Sequence, residues 1–99
     1  MLNRKAQISL VTAMHRLAKA GLSLTHIAQH LSDFGTAHQK TIGLSCLSAM
    51  EEGRGFSAGL KGYIDNLAYE SIAAGEYAGR VQDGLNNAIE TLKMQMFTF

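Results

Sequence analysis

Apolar residues recur three and four positions apart along almost the whole chain, and glycine, never proline, interrupts them. That spacing places side chains on one face of a 3.6-residue helix. Glycine accepts the left-handed backbone conformation that closes helices, so each interruption reads as a corner. Ala, Leu, Gln, Lys and Glu are plentiful and favour helices. Val and Ile, which favour strands, are scarce. The expected fold is therefore all-α, a compact six-helix bundle with short turns, in one domain spanning residues 1–99.

The first helix is expected from Asn3 to Lys19, with Leu10, Val11, Met14, Leu17 and Ala18 on one stripe and Gly21 as its stop. The second is capped by Ser23 or Thr25, turns Leu24, Ile27, Ala28, Leu31 and Phe34 inward, and ends at Asp33 and Gly35. The third runs from Ala37 to Glu52, buries Ile42, Cys46, Leu47 and Met50, and stops at Gly53. After Arg54-Gly55, Ser57 caps a short fourth helix reaching Gly62. Asp65 caps the fifth, with Leu67, Ala68, Ile72 and Gly75 inward, and Gly75 and Gly79 bracket the next corner. The sixth runs from Arg80 to Met96 with Val81, Leu85, Ala88, Ile89, Leu92 and Met96 inward. Gly43, Gly59 and Gly84 fall inside helices, where glycine costs about 1 kcal/mol relative to Ala. Such positions suit a neighbouring backbone that must come close.

Charge and thiol content exclude some roles. The formal net charge is +1, which disfavours a protein built to grip a polyanion. A single cysteine, Cys46, forbids an internal disulfide. Nothing in the chain reaches the roughly 20 apolar residues of a spanning helix. The final Met94-Gln95-Met96-Phe97-Thr98-Phe99 is nonetheless apolar and aromatic, as where a hydrophobic segment begins.

No residue set converges on catalysis or on a cofactor. His26, His30 and Asp33 share a helical face, but the metalloprotease glutamate is missing and a solvated face explains them. Cys46 sits mid-helix between Ile42 and Met50, as a buried thiol does. Gly53-Arg54-Gly55-Phe56-Ser57-Ala58-Gly59 lacks the strand and the Gly-Lys-Ser/Thr of a phosphate loop. Glu51 and Glu52 are adjacent and point apart. Glu76 lies between Gly75 and Gly79 and is expected to accept backbone N–H groups at the start of the last helix, locking that corner. Leu17 to Ser23 followed by Ile27-Ala28 has the cadence of a DNA-binding helix-turn-helix, the alternative reading. Between Ala20 and Gln39 there is no Lys or Arg to contact DNA, so nucleic acid is not the expected partner.

Three segments resemble motifs of one family. Ala20-Gly21-Leu22-Ser23-Leu24, leading to Gln29-His30-Leu31, resembles the first motif of the type II secretion system F family. Met50 to Leu60, with Gly53 and Ser57, resembles its second. Gly75-Glu76-Tyr77-Ala78-Gly79-Arg80-Val81 resembles its third, a Gly-Glu-x-x-Gly turn. The proline that often precedes that turn is absent from Tyr63 to Leu67.

The resemblance implies a cytoplasmic helical-bundle domain of a larger, polytopic inner-membrane protein in bacteria. Such proteins form the non-catalytic platform of type IV pilus assembly or type II secretion. The implied partners are the cytoplasmic assembly ATPase, other inner-membrane assembly proteins and a second copy of the domain in a homodimer, with the membrane reached through helices outside this segment. No metal ligands or cofactor carry over. The motif residues so implied are Gly21, Gly53, Ser57, Gly75, Glu76 and Gly79.

Overall fold

The computed structural model of the protein describes residues 1–96. These form α1 (Arg4–Lys19), α2 (Leu24–Phe34), α3 (Ala37–Glu51), α4 (Asn66–Ala78) and α5 (Val81–Met96), with a five-residue 3-10 turn at Phe56–Leu60 between α3 and α4. The all-α class is as expected, but the count among the described residues is five α-helices, not six. The expected fourth helix is the 3-10 turn. Gly55 and Gly62, at φ 92° and 89°, close it on both sides and leave no room for a second helical turn.

The first four starts are set by a polar side chain. Asn3, Ser23, Thr36 and Asp65 accept backbone N–H groups at the heads of α1 to α4, and Thr36 with Gln39 completes a capping box. Gly79, at φ 73°, ends α4 in the left-handed conformation and turns the chain directly into α5.

α2 packs against α3 and α4 against α5, while α1 lies along α5 and the 3-10 turn sits on α3 and touches α4. The core joins Leu10, Met14, Ile27, Ile42, Phe56, Leu60, Ile72, Leu85 and Leu92, all essentially without solvent contact. Three residues expected inside are outside: Phe34 is 75%, Leu67 56% and Met96 38% exposed. Phe34 instead meets the ring of His30 at the surface, tilted by 53° with centroids 5.1 Å apart. Leu67 occupies the first turn of α4, beyond the reach of the core. Phe97 and Phe99 lie outside the described residues. Among the described residues no helix is long and apolar enough to cross a membrane.

Candidate functional site

Glu76, near the end of α4, reaches back to the 3-10 turn. Its Oε2 accepts from the Phe56 backbone N–H at 2.7 Å. Its Oε1 accepts from the Ser57 N–H at 3.0 Å and from the Ser57 hydroxyl at 2.7 Å. The 3-10 turn has no cap from its own side chains. The carboxylate supplies one from a distant helix, placing negative charge against unsatisfied N–H groups. Gly55 makes the approach possible, since a Cβ there would lie 3.1 Å from Glu76 Oε2.

This corrects two expectations. Ser57 does not cap a helix; it stands inside the turn and donates to Glu76. Glu76 accepts N–H groups, but those of the 3-10 turn, not those at the start of α5. The cause is geometric: at the end of α4 its side chain lies over the turn rather than along the axis of α5. Gly75 lies buried inside α4, as expected, and its carbonyl accepts from the Arg80 N–H at 2.7 Å at the corner.

Beneath this junction the turn presses on α3. A Cβ at Gly59 would fall on the backbone of Cys46, and Ser45 donates its hydroxyl to the Gly59 carbonyl at 2.9 Å. Cys46 is fully buried. Burial, with the Glu76 charge second, pushes its thiol up to about 12. It stays protonated near neutral pH, and a protonated thiol is neither a nucleophile nor a metal ligand.

The other glycines of the corners and contacts fall into place around this site. Gly75 and Gly84 face each other where α4 meets α5: a Cβ on Gly84 would lie 2.7 Å from the Ser71 carbonyl oxygen and 3.0 Å from Gly75 Cα. Gly43 meets the backbone of α2 in the same way, 2.7 Å from the Ala28 carbonyl oxygen. Gly21 (φ 95°) and Gly79 (φ 73°) line one surface groove together with Leu22 and Arg80. Gln82 crosses it, donating to the Ala18 carbonyl at 3.5 Å. Gly53 turns the chain out of α3 at φ 77°.

The remaining candidates stay at the surface. His26, His30 and Asp33 are exposed, and among the described residues no group of three His, Cys, Asp or Glu side chains is placed to hold a metal ion. Asp33 accepts from Gln29, and the His26 ring meets its own cap, Ser23. α2 presents those histidines, Gln29 and Phe34 to solvent, with no lysine or arginine.

One residue escaped the sequence reading. Gln7 is buried to 1% exposure. Its amide donates to the Leu2 carbonyl at 2.6 Å and accepts from the Asp65 N–H at 2.7 Å. Asp65 also meets Arg4 at 3.9 Å and Gln95 at 3.5 Å. This cluster ties the chain's beginning to the heads of α1 and α4 and the tail of α5. The available signal was a polar residue in line with Leu10, Val11 and Met14, on the inward stripe of α1.

No protein-family model, no curated protein and no solved structure matches the chain.

Proposed function

We propose that the chain is a non-catalytic docking domain on the cytoplasmic side of a bacterial inner-membrane platform protein. It serves type IV pilus assembly or type II secretion by holding the assembly ATPase against its membrane partners. The observation that carries this reading is the Glu76 junction. Two segments that resemble separate motifs of the type II secretion system F family are joined there by three hydrogen bonds. The segment resembling the remaining motif lines the same groove as the Gly79 corner. Residues paired in this way build a rigid block with fixed outer faces, which suits protein–protein contact.

The test is binding of the purified chain to the pilus or secretion assembly ATPase encoded in the same genome, followed by biolayer interferometry. Saturable binding that survives 150 mM salt is the expected result. Lack of such binding, together with tight, salt-sensitive binding to duplex DNA, would replace the platform by the helix-turn-helix reading.

A further inference from the structure

We infer that one pole of the bundle, where the Asp65 cluster gathers the chain's beginning, the Lys61–Asp65 loop and the tail of α5, is a contact surface for anionic lipid headgroups. Leu2 donates to the Tyr63 carbonyl at 2.9 Å, and Arg4 and Gln95 both meet Asp65, so these three segments share one end of the molecule. Exposed apolar side chains concentrate there. Of the seven large ones among the described residues, Met1 (78%), Leu67 (56%), Met94 (70%) and Met96 (38%) belong to this pole.

Around them stand Lys5, Lys61 and Lys93, all exposed. The acid at the centre, Asp65, is committed inward to Arg4 and to the head of α4. Glu70 and Glu90 lie a helical turn back, and Glu70 accepts from Asn66. The pole thus offers cations at its rim and flexible apolar ends between them. An interfacial segment binds a charged bilayer in this way, with apolar ends at the headgroup boundary and lysine stems extending to the phosphates. The one arginine of the cluster is turned to Asp65, and the Lys61 ammonium stands 5.9 Å over the Tyr69 ring while remaining exposed, so the cations open to solvent are lysines. Lysines act as point charges, suited to a fluid sheet of phosphates rather than to bidentate capture of a partner's carboxylates. The choice of a bilayer as occupant rests on the platform reading above; the concentration of exposed side chains does not.

The experiment is co-sedimentation of the chain with vesicles of phosphatidylcholine containing 30% phosphatidylserine, against pure phosphatidylcholine, at 50 mM salt. The expected result is binding to the charged vesicles alone. Lys61→Gln and Lys93→Gln should each weaken it about fivefold, and Lys19→Gln, at the far end of α1, should leave it unchanged. Met96→Trp should shift its emission to the blue when charged vesicles are added. Unaltered circular dichroism spectra establish that each variant folds. Absence of sedimentation, an equal loss from Lys19→Gln, or binding to poly-glutamate but not to vesicles would overturn the inference. ATPase binding that persists through such a failure leaves the platform reading standing; loss of ATPase binding with vesicle binding intact sinks that reading alone.

Discussion

Glu76 directs its carboxylate to groups nineteen and twenty positions earlier, and three donors converge on it. A glutamine there keeps the shape but brings an amide nitrogen against N–H groups, and it removes the charge that strengthens each bond. Glu76→Gln should lower stability by about 2–3 kcal/mol in urea unfolding, with the helical circular dichroism unchanged below the transition. A loss under about 0.5 kcal/mol would mean that the junction is incidental. The sequence marked Glu76 as an acceptor of backbone N–H groups and misassigned the donors. Charge and helix position are local properties, visible in Gly75-Glu76-Tyr77-Ala78-Gly79. The pairing with Phe56 and Ser57 depends on how two elements fold back on each other, and no spacing rule reports it. Gln7 was hidden for the same reason, since its partner Asp65 lies 58 positions away.

Helices and their corners were far more legible than these pairings. Apolar periodicity located all five α-helices within a few residues, because amphipathic stripes and capping side chains are written in neighbouring positions. The five residues of Phe56–Leu60 could not be told from a short α-helix, since both begin with the same turn. Glycine inside a helix proved informative where the helices touch. Gly84→Ala gains about 1 kcal/mol of helix propensity. Its Cβ would nonetheless stand 2.7 Å from the Ser71 carbonyl oxygen, with backbone on both sides unable to yield. A net loss of about 1–3 kcal/mol is expected from forcing α4 and α5 apart. The urea midpoint should fall at constant m-value, and a stabilised variant would show that the two helices can separate freely. Leu67, Phe34 and Met96 were misplaced because a stripe drawn at constant angle ignores where a helix begins or ends relative to its neighbours. All three residues lie in terminal turns.

For the whole molecule, stability at high pH is linked to the buried thiol. Cys46 in the unfolded chain loses its proton near pH 9, while in the folded protein it holds it up to about 12. The unfolded state therefore binds fewer protons in that window, and stability falls as pH rises through it. Below pH 9 the thiol contributes no slope. Urea unfolding at pH 8, 9.5 and 11 should give Cys46→Ala a shallower decline than the parent. The difference should approach about 1.4 kcal/mol per pH unit. Parallel declines would show that the thiol is accessible to water. At this scale the bundle consists of two hairpins, α2 with α3 and α4 with α5, and α1 laid along the second. The Glu76 tether joins α4 to the 3-10 turn, which sits on α3, and so links one hairpin to the other through that turn. A local opening costs what its own contacts hold. That carboxylate accordingly acts as a latch: without it, the Phe56 and Ser57 amides are expected to exchange their protons with solvent while both hairpins stay closed.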